Sequence, residues 1–352
     1  MGKFRSYMAI DMGTSCTLVY TRAKGVLLNE PSIVAQDTFT EKIVAVGEEA
    51  KRMLGRTPGN IKAKTPLENG VIADYPSTEK MLDYFIHKTA GKTFFKPDVV
   101  FCVPSRATQV QNRALVLAAQ TAGAHSVFLI EQPLAAALGS GFDIGAPGGN
   151  MVVDIGGGST DIAVISMGTI VVSHSLRLAG MAFDQAIKDY VRHEYGLLIG
   201  DRMAEDLKIR AGSLTNLSKE ETIEARGRSL MDGLPKSIYL GLTDITQALE
   251  PVFTKIIAGI QQVLSYTPPE LSADLNDHGI LLTGGGSLVR GLDNQIRRDL
   301  MVKIIHGDHP LTAAVRGTGM SLNYVKEWNP TDSVFSETTR RQILQREGLR
   351  RR

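Results

Sequence analysis

The stretch of sequence that decides the fold is Asp154-Ile155-Gly156-Gly157-Gly158-Ser159-Thr160-Asp161, which follows an apolar run at residues 151–153. A similar stretch, Asp11-Met12-Gly13-Thr14-Ser15, follows an apolar run at residues 7–10. An Asp at the end of a β-like run, followed by glycines and hydroxyl residues, predicts a β-hairpin whose turn presents backbone N–H groups to phosphate oxygens. A third glycine-rich stretch lies at residues 282–287. One such turn would predict only a tight hairpin, but three in this order predict a two-lobed nucleotide clamp.

Length and composition favour a globular protein of two lobes. The 352 residues exceed one typical core, and 43% hydrophobic and 22% charged residues are ordinary values. The net charge of +2 does not favour nucleic acid as a partner of the whole molecule. Cys16 and Cys102 fit reduced thiols, and the sequence has no apolar run of 18 residues and no signal-peptide pattern. We therefore expect a cytoplasmic protein.

The two hairpin stretches divide the chain into similar halves. Hairpins are expected near residues 7–20 and 151–166, so that Asp11 and Asp154, 143 residues apart, are equivalent. Further strands are predicted at 98–103, 127–130, 222–228 and 279–282. Helices are predicted at 77–89, 109–122, 133–138, 183–193, 201–212 and 246–264. The first of these helices is expected to begin at a cap formed by Ser77 and Thr78.

The order of these segments resembles that of the actin, Hsp70 and sugar-kinase superfamily of ATPases, and within it the MreB family of bacterial actins. The resemblance covers residues 7–325 and includes five further stretches: Asn29-Glu30-Pro31-Ser32, Gly70-Val71-Ile72-Ala73-Asp74, Ile130-Glu131-Gln132-Pro133-Leu134-Ala135-Ala136-Ala137, Tyr195-Gly196-Leu197-Leu198-Ile199-Gly200 and Gly233-Leu234-Pro235-Lys236. It implies an α/β, actin-like, two-lobed ATPase fold. Such a fold has duplicated RNase H-like cores, a nucleotide in the cleft between the lobes and a subdomain inserted in each lobe.

The resemblance also implies a division into subdomains. Residues 1–32 and 67–149 would form subdomain IA, with 33–66 as the inserted subdomain IB. Residues 150–180 and 246–325 would form subdomain IIA, with 181–245 as the inserted subdomain IIB. Residues 326–352 would form a basic C-terminal tail.

The phosphate site is expected at the first two glycine-rich turns. Its candidate residues are Gly13, Thr14, Ser15 and Cys16 in the first turn, and Gly156, Gly157, Gly158 and Ser159 in the second. Asp11 and Asp154 are expected to hold Mg²⁺ through its waters, although either could simply cap its hairpin. The chain departs from the family in two places, with Ser15-Cys16 where Ala-Asn is usual and Met181 where Asp is usual.

Residues for hydrolysis and for the nucleoside follow from the resemblance. Glu131, together with Thr160, would orient or deprotonate the attacking water; from the sequence alone, Glu131 could equally mark a helix N-terminus. Glu205 and Lys208 would flank the ribose and adenine, or else form a surface ion pair. The third turn would approach the adenosine with Gly284, Gly285, Gly286 and Ser287.

The resemblance implies a slow Mg²⁺-dependent ATPase that polymerises with ATP into filaments and determines cell shape. Its partners would be further copies of the chain in paired protofilaments, the inner face of an anionic cytoplasmic membrane, and cell-shape or wall-elongation proteins. A filament paralogue with weak hydrolysis is the main alternative. A small-molecule kinase on the same fold is a further alternative, but the sequence shows no sugar-binding motif.

Two segments are candidates for membrane contact. Phe94 and Phe95 lie between lysines in a predicted loop, which suits an interfacial anchor, although one ring could instead pack into the core. Residues 337–352 contain six Arg and two Glu and end in Arg350, Arg351 and Arg352. This basic tail could bind an acidic membrane, remain disordered, or bind nucleic acid. Membrane contact is the preferred hypothesis.

Overall fold

The apolar runs before the two Asp-Gly stretches form strands of two separate sheets. The protein is described by a computed structural model over residues 6–55, 59–91, 95–214 and 221–322. In chain order, the elements of its first half are β1 (Tyr7–Met12), β2 (Cys16–Thr21), β3 (Gly25–Pro31), β4 (Val34–Asp37), β5 (Ile43–Val46), α1 (Glu48–Met53), β6 (Ile61–Lys64), β7 (Leu67–Glu68), β8 (Val71–Ile72), α2 (Tyr75–Ala90), β9 (Asp98–Val103), α3 (Gln109–Thr121), β10 (Val127–Glu131) and α4 (Gln132–Gly139). Those of the second half are β11 (Asn150–Ile155), β12 (Thr160–Ser166), β13 (Thr169–Leu176), α5 (Gly180–Tyr195), β14 (Leu197–Leu198), α6 (Asp201–Ala211), β15 (Thr222–Ser229), β16 (Pro235–Gly241), α7 (Leu242–Tyr266), α8 (Pro269–His278), β17 (Ile280–Thr283), a 3₁₀ helix (Gly285–Leu288), α9 (Leu292–Leu300), β18 (Ile304–His306) and α10 (Ala313–Ser321).

The two large sheets have the same topology. Their strand orders are β10-β9-β1-β2-β3 and β13-β12-β11-β17-β18. In each, three consecutive strands form an antiparallel meander, and two later strands add in parallel beside the first of them. The register repeats as well, because Asp11 pairs with Leu18 and Asp154 pairs with Asp161. The predicted equivalence of Asp11 and Asp154 is therefore confirmed.

Helices α4 and α10 pack against each other between the two sheets. A buried cluster draws on both sheets and both helices, and includes Ala9, Val100, Leu134, Val152, Leu281 and Ala314. On the outer faces, α2 and α3 cover the first sheet, and α5 and α7 cover the second. We call these halves the first lobe and the second lobe. The shared cluster joins them, so the lobes meet through apolar packing on one side of the molecule.

Each lobe carries a smaller sheet. Strands β5-β4-β6 and helix α1 belong to the first lobe, and strands β14-β15-β16, near α6, belong to the second. The predicted ranges 33–66 and 181–245 include these sheets, and their exact limits stay a prediction. Helix α10 lies within the predicted range 246–325, which likewise stays a prediction, and it packs on α4 and on β1, β2, β3 and β9 of the first lobe. The chain thus returns to the first lobe after β18.

The predicted helices are present, but three of them begin two or more residues earlier than the sequence pattern indicated. Helix α2 begins at Tyr75, because the Asp74 carboxylate accepts from the Ser77 N–H (3.2 Å) and hydroxyl (2.8 Å). The predicted cap at Ser77 and Thr78 is therefore wrong. Helix α7 begins at Leu242, because the Asp244 carboxylate accepts from the Gly241 N–H at 2.8 Å.

The third case, α5, begins at Gly180 because its first N–H groups bond to the second glycine-rich turn. This early start matters for the site described below. Among the described helices, we find none with the length and apolarity needed to cross a membrane.

Candidate nucleotide-binding cleft

A cleft of about 670 Å³ opens between the two lobes. This volume lies within the usual range of small-molecule sites. The structure brings most of the predicted residues to its walls: Asp11, Gly13, Thr14, Ser15, Cys16, Asp154, Gly156, Gly157, Gly158, Ser159, Glu205, Lys208, Gly284, Gly285 and Gly286. The described lining residues do not include Glu131, Thr160 or Ser287.

The first glycine-rich turn is held from behind by its own lobe. The Ser32 hydroxyl donates to the Gly13 carbonyl (2.6 Å), and the Ser32 N–H donates to the Ser15 carbonyl (3.0 Å). The Thr65 hydroxyl donates to the Thr14 carbonyl at 3.1 Å. Three successive carbonyl oxygens are thus bonded to the protein. This arrangement suits a turn that offers N–H groups to an anion, because carbonyl oxygens would repel one.

The second turn repeats the first and faces it at close range. The Gly13 N–H donates to the Cys16 carbonyl at 3.1 Å, and the equivalent bond at residues 156–159 is 2.9 Å. A Cβ atom on Gly157 would collide with the Ser15 side chain across the cleft. Glycine at 157 therefore lets the two turns approach each other.

Helix α5 fixes the second turn. The Gly180 N–H donates to the Gly156 carbonyl (3.1 Å), and the Met181 N–H donates to the Gly157 carbonyl (2.8 Å). The Met181 side chain, which replaces the usual Asp, is 47% exposed. Because the anchoring bond uses the backbone of Met181, it does not depend on the side chain at this position.

Two carboxylates stand at the ends of the strands behind these turns. Burial raises the pKa of Asp11 to about 6. Burial also raises the pKa of Asp154 to about 7, with a further rise from the charges of Asp161 and Asp11 and an opposing effect from Gln132. The Gln132 amide donates to Asp154 Oδ2 at 2.7 Å. Gln132 lines the cleft and was not predicted from the sequence.

These two carboxylates fit a magnesium ion. Mg²⁺ prefers oxygen ligands and keeps several waters, and it is usually held by one or two carboxylates together with substrate phosphates. Asp11 and Asp154 line the same cleft as the two glycine-rich turns. Their desolvation disfavours the charged form, so a cation beside them would favour ionisation.

Glu205 and Lys208 both lie on α6 but do not pair with each other. Lys208 Nζ lies 2.9 Å from Asp184 Oδ2 and 3.2 Å from the Gly180 carbonyl. Glu205 Oε2 lies 3.3 Å from Lys51 Nζ, which belongs to α1 of the first lobe. The alternative of a surface ion pair between Glu205 and Lys208 is therefore wrong, and the Lys51–Glu205 pair spans the cleft.

Apolar side chains complete this end of the cleft. Ile209, Leu288 and Leu311 line it and are 72%, 55% and 60% exposed. Exposed aliphatic side chains at the mouth of a polar cleft suit contact with a flat base. The third glycine-rich turn lies against Ile155, directly before the second turn. Gly284 has φ +82° and packs on the Ile155 carbonyl, where a side chain would not fit.

The remaining predicted residues are not among the described residues that line the cleft. Glu131 is the last residue of β10, directly before Gln132. Thr160 is fully buried, and its hydroxyl donates to the Leu178 carbonyl at 2.6 Å. The Ser287 hydroxyl donates to a backbone carbonyl of the third turn at 2.6 Å. The roles of these three residues stay predictions.

Most of the residues predicted to contact a membrane lie outside the part of the chain that the structure describes. Phe94, Arg350, Arg351 and Arg352 lie outside the described residues. Phe95 is described, and its side chain is 48% exposed.

Known proteins resemble this chain in sequence and in structure. The sequence model of the family described as MreB/Mbl protein matches residues 5–330. Mbl, a cell shape-determining protein of Bacillus cereus, is 47% identical over 323 residues, which are 92% of this chain and 97% of Mbl. MreB, a cell shape-determining protein of Escherichia coli K12, is 45% identical over 330 residues, which cover 92% of this chain and 95% of MreB.

The structural comparison gives the same result. The crystal structure of MreB 5 of Spiroplasma citri bound to AMPPNP superposes with a TM-score of 0.88 and 35% identity. The similarity covers 93% of this chain and 98% of MreB 5. The predicted actin-like, two-lobed fold is confirmed.

We predict that the Asp154→Asn variant changes how stability depends on pH. A carboxyl group whose pKa is raised by folding stabilises the protein below its unfolded pKa, and this contribution is lost as pH rises through the folded value. For Asp154 the window runs from 3.8 to about 7. Within this window, ionisation of Asp154 should lower the free energy of unfolding of the wild type by up to about 1.4 kcal/mol per pH unit. The variant shows no such loss because Asn has no proton to release.

The measurement is the urea midpoint of the nucleotide-free protein between pH 5 and 8. The matched control is Asp277→Asn, which changes an exposed carboxylate on α8. The stability gain of Asp154→Asn over the wild type should grow with pH. Parallel curves for the wild type and Asp154→Asn would show that this carboxylate is not desolvated.

Proposed function

Because the chain belongs to the MreB/Mbl family, we propose that it is a cytoskeletal protein that polymerises with ATP into filaments and determines cell shape. Its relatives from Bacillus cereus and Escherichia coli are named cell shape-determining proteins, and the similar MreB 5 is bound to AMPPNP, an ATP analogue. The observation that carries the proposal is the pair of facing glycine-rich turns, each anchored to its own lobe through its carbonyl oxygens.

ATP would lie with its phosphates between the two turns. Asp11 and Asp154 are the residues that would hold magnesium through its waters, and the ion would offset the phosphate charge. The base would contact Ile209, Leu288 and Leu311. Glu205 would then reach the ribose, in competition with or in addition to its ion pair with Lys51.

Hydrolysis is proposed to depend on Glu131. It ends β10, an edge strand of the first sheet, directly before Gln132, which lines the cleft. A carboxylate at this position can orient water or accept its proton for attack on the γ-phosphate. A specific observation also favours the alternative of a nucleotide-binding filament with weak hydrolysis. The Thr160 hydroxyl is already bonded to the Leu178 carbonyl, and the described lining residues include neither Thr160 nor Glu131.

One experiment distinguishes a filament that hydrolyses ATP through Glu131 from a nucleotide-binding filament with weak hydrolysis. Phosphate release from Mg-ATP and pelleting are measured on the same samples of the wild type, Glu131→Ala and the control Glu250→Ala, which truncates an exposed Glu on α7. We expect the wild type and the control to pellet and release phosphate. Glu131→Ala should pellet and lose about 100-fold or more in rate, as is typical of a lost general base.

Other outcomes contradict parts of this proposal. Equal phosphate release by the wild type and Glu131→Ala would exclude Glu131 as the residue that activates water. Pelleting without phosphate release by the wild type would favour the weak-hydrolysis alternative. If no variant pellets with any nucleotide, the filament proposal fails.

The proposed filament consists of paired protofilaments in the cytoplasm, at the inner face of an anionic membrane, with cell-shape or wall-elongation proteins as further partners. Support within the described residues is limited to the exposed Phe95 ring and the neighbouring Lys96, which is also exposed. An aromatic ring beside a cation suits the interface of an anionic bilayer.

Membrane contact can be tested by flotation with vesicles that contain anionic or only neutral lipids. The wild type should float with anionic vesicles, and Phe95→Ala should float less because it loses the inserted ring. Phe39→Ala is the matched control, since Phe39 is also exposed (84%) but lies in the turn between β4 and β5 of the first lobe. Equal flotation of both variants would exclude Phe95 as the anchor.

A further inference from the structure

Asp161 is a buried carboxylate that the proposed chemistry does not use. It follows Thr160 on β12 and is fully buried. In the equivalent hairpin of the first lobe, the same register position holds Leu18. Burying a carboxylate where an aliphatic side chain fits is costly unless hydrogen bonds satisfy it. We therefore expect the Asp161 carboxylate to have a specific role in the second lobe.

The partners of Asp161 come from both lobes. The Ser159 hydroxyl, in the second glycine-rich turn, donates to Oδ2 at 3.0 Å. The Ser105 hydroxyl, on the first-lobe loop after β9, donates to Oδ1 at 3.3 Å. Burial raises the pKa of Asp161, and the Ser175 hydroxyl, from β13 of the second lobe, and the Ser105 backbone N–H are near enough to lower it. One carboxylate thus joins the second turn to the opposite lobe.

A continuous series of contacts leads from Ser105 to the first turn. Pro104 precedes Ser105, is buried, and lines the cleft. Its ring packs against Gly70, where a Cβ atom would lie 2.9 Å from Pro104 Cγ. The Gly70 N–H donates to the Thr14 hydroxyl at 2.8 Å. The contacts of Asp161 therefore reach both phosphate turns.

We propose that Asp161 is a positioning residue that couples closure of the two lobes to the phosphate end of the cleft, through Ser105 on one side and Ser159 on the other. This inference rests on the proposed function, because it assigns regulation to the proposed nucleotide site. When the lobes separate, Asp161 loses the Ser105 hydroxyl donor and keeps the Ser159 hydroxyl donor. A buried carboxylate that loses donors is destabilised, so this contact favours the closed cleft.

The chain offers a matched pair of variants for the test. Ser105→Ala removes a hydroxyl donor from the opposite lobe, whereas Ser175→Ala removes a hydroxyl near the same carboxylate from its own lobe. Asp161→Asn removes the charge, and the double variant Ser105→Ala/Asp161→Asn closes a double-mutant cycle. Hydrogen exchange of peptides over residues 67–74 and 104–108 is measured without nucleotide, and the Kd for AMPPNP with Mg²⁺ is measured separately.

We expect Ser105→Ala to accelerate exchange in both peptides and to weaken AMPPNP binding about tenfold or more, the usual scale for one hydrogen bond to a charged group. Ser175→Ala should leave both quantities near the wild type. Asn at 161 keeps only a neutral acceptor for the Ser105 hydroxyl, so adding Ser105→Ala should weaken binding less in the Asp161→Asn variant than in the wild type. Equal effects of Ser105→Ala and Ser175→Ala, or additive effects in the double variant, would overturn the proposal.

The two readouts keep this inference separate from the proposed function. If the wild type does not bind AMPPNP, the proposed function fails, while the exchange experiment still tests the coupling between lobes. If the wild type binds AMPPNP and Ser105→Ala changes neither quantity, only the coupling fails. Should Asp161→Asn not fold, the comparison of Ser105→Ala with Ser175→Ala decides the matter alone.

Discussion

The structure depends on holding two glycine-rich turns face to face although each has a carboxylate behind it. Asp11 and Asp154 end equivalent strands, and their burial makes the charged form of each unfavourable. Hydrogen bonds to the carbonyl oxygens of the turns must therefore fix them independently of any ligand. Ser32 and Thr65 do so for the first turn, and the start of α5 does so for the second. A bound cation and polyphosphate would then complete the electrostatics of the cleft.

The duplicated topology explains why the two turns meet. Each sheet places its hairpin turn at the end of a central strand, and α4 and α10 pack between the sheets in a shared apolar cluster. Polar contacts such as Ser105–Asp161 and Lys51–Glu205 also cross between the lobes. Apolar packing thus fixes the joint between the lobes, while hydrogen bonds and ion pairs act where the lobes can separate.

Local patterns predicted the hairpins, the two carboxylates and the order of the elements, because glycine and aspartate at strand ends are short-range signals. They could not predict contacts that strand pairing creates between distant residues. Ser32 lies far from Gly13 in sequence, and Gln132 reaches Asp154 only after β10 and β11 are placed. The return of α10 to the first lobe and the early start of α5 likewise follow from tertiary contacts. The roles of Glu131 and Thr160 came from family resemblance.

The central claim is that the two turns bind phosphate, and calorimetric titration tests it most directly. AMPPNP with Mg²⁺ and adenosine are each titrated into the nucleotide-free protein. Because the proposed roles of the two turns and of Asp11 and Asp154 concern only the phosphates and their magnesium ion, adenosine should bind at least about 100-fold more weakly, the scale of several lost charge-assisted hydrogen bonds. Equal affinities for adenosine and AMPPNP would contradict the claim and would leave only a nucleoside pocket.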